Sequence, residues 1–203
     1  MTDLDIAYPA HRCIPIEPSS ADHASWADEA SKAYGLDTEL DDEGVKRVRV
    51  ALLDLARLVD SSSRLLLVIS PDAAVLAPLR LTLSAEPLTR AQQAEFLWST
   101  DAILPPTAEV IDSDDLGAGI TVALLQQQGE IQFATRRWLF PGQNAAVGAL
   151  LGPVPPYGLA VVQEIADPII EQMRVDGFVP TADRAGLERF EAATVRGGEG
   201  WAP

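Results

Sequence analysis

GITVALLQQQGEIQFATRRWLFPGQNAAVGALLG, residues 119–152, holds the information that decides the fold. Gly129 separates two runs rich in β-branched, aromatic and aliphatic residues, the composition of strands paired about a tight turn. Pro141 and Gly142 then suit the two central positions of a type II turn leading into "NAAVGALLG". The stretch predicts a three-stranded antiparallel meander over about 119–151. Within it, strand alternation puts Arg136, Trp138 and Phe140 on one face and Arg137 and Leu139 on the other.

On the C-terminal side, "PPYGLAVVQEIADPIIEQMRV" repeats apolar residues at Val162, Ile165, Ala166, Ile169, Ile170 and Met173. That spacing predicts an amphipathic helix over 157–174 lying on the meander, with Pro168 off the buried stripe. "GPVPPYG" (152–158) reads as a rigid connector between strand and helix. From Gly177 onward the sequence predicts one weak helix, "TADRAGLERFEAA", and a flexible end, "RGGEGWAP".

On the N-terminal side, "LTRAQQAEFLWST" predicts a helix over 89–99, capped by Thr89 and with Phe96 and Leu97 on its inner face. In "PLRLTLSAEP", Leu79, Leu81 and Leu83 alternate with Arg80, Thr82 and Ser84, a strand with one wet face. "RLLLVIS" (64–70) is apolar throughout after Arg64, as a strand covered on both faces would be. Val45, Val48, Leu52, Leu55, Ala56 and Val59 mark a helix over about 43–60. "SSADHASWADEASKAYG" predicts a short helix with Ser20 as N-cap, Gly35 as its stop and Trp26, Ala30 and Ala33 as its packing stripe. Residues 1–19, with three prolines, read as an extended arm.

The order α-α-β-β-α-β-β-β-α specifies an α+β fold: an antiparallel sheet of about five to six strands with helices on both faces. Residues 1–40 form an acidic arm with a short helix, 41–176 a single α+β domain and 177–203 a partly flexible extension. Over 64–174, the meander after a helix, closed by a long amphipathic helix following "GPVPPYG", resembles the PsbP-like fold. An extrinsic photosystem protein, a Ran-binding nuclear import factor and uncharacterised bacterial proteins share that fold. The resemblance implies architecture only, because it rests on element order and matches no functional residue.

Composition excludes several functions. The chain of 203 residues carries a net charge of −15, with 15 basic residues against 30 acidic ones. That balance argues against nucleic acid and against anionic membrane surfaces, both of which call for clustered cations. Eleven of the acids lie in residues 1–43, against Arg12 and Lys32 alone. Such a front is a solvated face or a docking arm for a basic partner. A single cysteine forms no internal disulfide, and the N-terminus lacks the basic and apolar regions of a signal peptide. A bacterial cytoplasmic location is expected, arginine outnumbering lysine 13 to 2 in an alanine-rich chain.

Motifs for the commonest chemistries are missing: no G-x-S-x-G, no G-x-x-x-x-G-K-[ST], no H-E-x-x-H, and only "GAG" at 117–119 where a dinucleotide fingerprint needs a third glycine. His11 and Cys13 share one face of an extended segment, the spacing of a nucleophile and its base, yet they precede every predicted core element. An inert thiol is the expectation. "IDSDDLG" (111–117) begins like a calcium loop at Asp112 and Asp114, then fails with Leu116 at the fifth position and Ala123 at the twelfth. No catalytic residue, metal or cofactor is expected.

Contacts to a ligand or partner are assigned to Arg136, Arg137 and Trp138 on the sheet and to Trp26 on the first helix. The two adjacent arginines beside a tryptophan have the chemistry to grip an anion or a carboxylate. The alternative for the same residues is structural: an arginine pairs with a local acid while Trp138 packs under a helix. The sequence thus points to a non-enzymatic binding or adaptor domain with a protein partner. An enzyme of unrecognised type acting on a small anionic substrate, or a homodimer built through the apolar helix or an unpaired strand edge, are the other readings.

Overall fold

The computed structural model describes residues 4–17, 22–60, 63–72 and 74–195. Its elements are β1 (Leu4–Asp5), β2 (Cys13–Pro15), α1 (His23–Thr38), α2 (Asp42–Ala56), β3 (Ser63–Ile69), β4 (Leu76–Ser84), α3 (Arg90–Leu97), β5 (Thr107–Ser113), β6 (Gly117–Gln128), β7 (Ile131–Pro141), β8 (Ala146–Val154), α4 (Leu159–Glu171), β9 (Arg174–Val175) and α5 (Arg184–Val195). The fold is α+β. Among the described residues seven strands, in the order β2-β3-β4-β8-β7-β6-β5, make one antiparallel sheet, and β1 and β9 make a two-stranded ribbon.

The meander of β6, β7 and β8 is present, and the hairpin expected at Gly129 is there, with Gly129 at φ 62° and Glu130 forming a two-residue loop between the paired Gln128 and Ile131. Its second turn differs from the expected type II turn. Pro141 stays in β7, opposite Ala146, and the Gly142 N–H donates to the Ala145 carbonyl at 2.9 Å. Gly142 does not adopt a positive φ. It is glycine because a Cβ there would lie 2.7 Å from the Phe178 ring, so the segment after β9 presses onto this turn.

Cross-strand register sorts the sheet into two faces. One row runs Leu65, Arg80, Leu150, Arg137, Val122, Ala108 across β3, β4, β8, β7, β6 and β5. The row on the opposite face runs Leu66, Leu79, Leu151, Arg136, Ala123, Thr107. The first face takes α1 and α2 at the β2–β3 end, over Ile14, Leu65, Leu67 and Ile69. At the far end it takes α3 and α5, over Ile120, Val122 and Leu139. The second face takes α4, which buries Val162, Ala166, Ile169 and Ile170 against β3, β4, β7 and β8, with Met173 just beyond the helix in the same core. Each large apolar side chain so covered stabilises the fold by about 1.5–3 kcal/mol before entropy is counted.

Several local expectations are corrected. Ile165 lies half-buried at the margin of the α4 stripe, and the helix stops at Glu171 because Arg174 and Val175 pair with β1. Helix α2 ends at Ala56, which leaves Val59 beyond the helix and 40% exposed. Gly35 does not stop α1: it lies inside the helix, where a Cβ would collide with Val45 of α2. The N-cap of α1 is Asp22, accepting from the Ser25 N–H, while Ser20 lies outside the described residues, as do residues 196–203. The buried stripe of α1 is Ala27, Ser31 and Tyr34, one step round from the expected one, and Ala33 is exposed. Tyr34 is the anchor, its hydroxyl donating to the His11 carbonyl at 2.9 Å.

Three pieces of chain occupy places not foreseen. Thr107–Ser113, absent from the expected strands, is the outermost strand of the sheet. Cys13–Pro15, expected in an arm, is the strand at the other edge, paired with Leu66–Val68. Helix α5, expected in an extension, packs Leu187 and Phe190 into the sheet core, and its Glu191 carboxylate accepts the edge N–H of Val110 at 3.2 Å.

Candidate functional site

Strand alternation in β7 separates the two arginines of "TRRW". On the α4 face, Trp138 is only 2% exposed and Arg136 lies over its ring, the guanidinium 5.3 Å from the centroid. Arg136 Nε stands 3.6 Å from Asp167 Oδ1 on α4, which makes an ion pair and not a hydrogen bond. Arg137 points the other way. Its Nη1 donates to the carbonyls of Phe96, at 2.6 Å, and Trp98, at 2.9 Å. These carbonyls belong to the last turn and C-cap of α3, the helix end that carries partial negative charge. Burial holds the Arg137 pKa below the usual guanidinium value, yet the group remains a cation. Trp26 is half-buried and packs into the cluster formed by α1, α2 and β3.

Arg80, in the same sheet row as Arg137 and separated from it by Leu150, plays the matching part for α2. Its Nη2 donates to the Leu58 carbonyl just beyond that helix, at 3.0 Å, and to Asp60 Oδ2 at 3.3 Å. Two sheet arginines thus hold the C-terminal ends of the two helices that flank the middle of this face. Between the helices Thr82 and Ser84 of β4 and Leu150 of β8 are left only half-buried.

This half-buried strip contains a trough of about 440 Å³. Its floor is the row Thr82, Gly148, Leu139, with Ala146 beside it, and α3 with its preceding loop supplies the wall through Leu88, Gln92, Glu95 and Phe96. Gly148 seats the wall: the Phe96 ring packs onto its backbone, and a Cβ there would meet that ring and Thr82 Oγ1, each at 3.0 Å. The wall is fixed by a capping box, Thr89 with Gln92, at the start of α3 and by Arg137 at its end. Glu95 is the one acidic lining residue, and it makes no ion pair among the described residues. Sequence reasoning missed this site because it belongs to no motif. The trace in the sequence was the pair of small residues Ala146 and Gly148 on one face of β8.

The remaining candidates find structural roles. Cys13 is 2% exposed inside the α4-side core, and burial pushes its thiol up to about 12, so it is neutral at physiological pH. His11 is exposed just before β2 and contributes its backbone carbonyl to Tyr34. Asp112 pairs with Arg184 of α5 at 2.6 Å, and Asp115 with Arg174 at 3.0 Å. Among the described residues no group of three or more His, Cys, Asp or Glu side chains is arranged to hold a metal ion, and no helix is long and apolar enough to cross a membrane. No protein-family model matches the chain, and no curated protein matches it.

Proposed function

We propose that this protein is a non-enzymatic binding domain of the bacterial cytoplasm, whose protein partner seats in the trough over β4 and β8. The observation that carries the reading is the gap itself. Helix pairs cover both ends of one sheet face, and the half-buried middle is a trough with small residues in its floor and an aromatic wall held at both ends of α3. Burying such a concave, mostly apolar strip is how a sheet surface binds another chain.

Chemistry at the trough supports binding over catalysis. Its polar side chains are two hydroxyls, a glutamine and one exposed carboxylate, with no histidine, cysteine or cation among them. The enzymatic reading of Arg136 and Arg137 needs both guanidiniums in one cleft, whereas they emerge on opposite faces and each is already engaged. The PsbP-like architecture over 64–174 is part of the same proposal, supported by element order.

The test is affinity purification from the native host with tagged wild-type chain and a Thr82→Trp variant, whose indole would fill the trough. A partner recovered with wild type and lost with Thr82→Trp supports the reading. Recovery unaffected by the plug places the seat elsewhere, and repeated failure to recover any protein overturns the binding function.

A further inference from the structure

We infer that the partner segment in the trough is apolar and basic: an extended stretch presenting an aliphatic or aromatic side chain next to a lysine or arginine. This rests on the reading of the trough as the binding seat and adds the chemical class of what fills it.

Shape comes first. Absence of a Cβ at Gly148 lets the Phe96 ring settle onto the sheet, and beside that contact the trough is lined by the apolar Leu88, Leu139 and Ala146. An apolar side chain inserted there meets no polar atom that must be satisfied other than the Thr82 hydroxyl, which already donates to the Gly148 carbonyl at 3.3 Å. The wall rises on the α3 side, while the strip continues on the other side towards Leu150 and Arg80. A small molecule is normally enclosed over most of its surface. An open strip with one wall suits a chain passing through, with one or two side chains anchored.

Charge selects the neighbour of that anchor. Glu95 stands exposed on the wall without an ion pair among the described residues. The nearest sheet cations are spent, Arg137 on the Phe96 and Trp98 carbonyls and Arg80 on the Leu58 carbonyl and Asp60. An acidic segment would therefore meet Glu95 with no compensating cation, in a chain whose net charge is already −15. A basic residue beside the anchor pairs with Glu95 at the solvated rim, where charge sets specificity and association rate more than affinity.

The experiment uses the full-length chain and random displayed peptides of about 12 residues, a length that spans the width of a sheet. Enriched sequences are synthesised with a fluorescent label and measured by polarisation against wild type, Thr82→Trp and Glu95→Lys. A second plug, Ser84→Trp at the mouth, covers failure of Thr82→Trp to fold, judged by a cooperative thermal melt. The expected result is enrichment of an apolar residue beside Lys or Arg, with binding lost in either plugged variant. Glu95→Lys should weaken it about three- to tenfold, and exchanging the peptide cation for Glu should restore it on Glu95→Lys alone. Peptides blocked by the plugs but neutral or acidic, and indifferent to Glu95→Lys, overturn the chemical class while leaving the seat in place. Peptides indifferent to both plugs, or no enrichment at all, overturn the seat and this inference with it.

Discussion

Replacing Arg137 by methionine separates the structural part played by this arginine from the ligand-gripping part that its sequence context suggests. In the wild type one guanidinium nitrogen donates to two carbonyls at the end of α3, at 2.6 and 2.9 Å. A hydrogen bond from an ionised group contributes about 1.5–3 kcal/mol net, so the two together come to roughly 3–6 kcal/mol. Methionine keeps most of the stem's packing and removes a half-buried charge, which returns part of the desolvation cost. The expected loss is therefore about 2–3 kcal/mol, or a fall in Tm of roughly 5–10 °C for a chain of this size. Arg137→Lys should lie between, because a point ammonium does not reproduce the planar fork. Urea denaturation followed by circular dichroism measures both. Since α3 forms the trough wall, peptide binding should weaken alongside stability in Arg137→Met. A midpoint within about 0.5 kcal/mol of wild type would refute the helix-holding role.

Three further outcomes are expected. Ile169→Asp, at a position of α4 only 1% exposed, should abolish cooperative folding or cost at least about 4 kcal/mol, while Ile165→Asp at the half-buried margin should cost about 1–2 kcal/mol; equal melting temperatures for the two would contradict the α4 packing. Because the Cys13 pKa is raised from 9.0 to about 12 by burial, the stabilisation of the neutral thiol is complete below pH 9.0 and is lost as pH climbs through about 12. Native Cys13 should accordingly react with a disulfide reagent at pH 8 far more slowly than the denatured chain, and equal rates would show the thiol to be accessible. Glu191→Ala removes the acceptor from the Val110 N–H on the outer strand, which should cost about 1 kcal/mol and promote strand-edge self-association, read by sedimentation velocity; an unchanged melt and a strict monomer would rule out the edge-guarding role.

Much of the scaffold was legible because it is written in local periodicity. The alternation of 119–151 set the meander, the i, i+3, i+4 spacing after residue 158 set α4, and Thr89 marked the start of α3. Periodicity misled where a contact far along the chain made the decision. Gly35 looks like a helix stop and is instead the contact point with Val45; Gly142 looks like a turn residue and is instead the landing place of Phe178. The seven residues of β5 carry a weak alternation that counts as a strand only because β6 and α5 supply its partners.

The sequence by itself determined the α+β class, which residues alternate across β7, and hence that Arg136 and Arg137 face opposite ways. Only the tertiary structure decided what each arginine meets. Asp167 lies 31 residues from Arg136, and the carbonyl of Phe96 lies 41 residues from Arg137. The trough likewise exists only once β4, β8 and α3, distant in the chain, are brought together. Local propensity acts over a few residues and is readable in order along the chain, whereas a binding surface is a meeting of distant residues whose partners are chosen by packing.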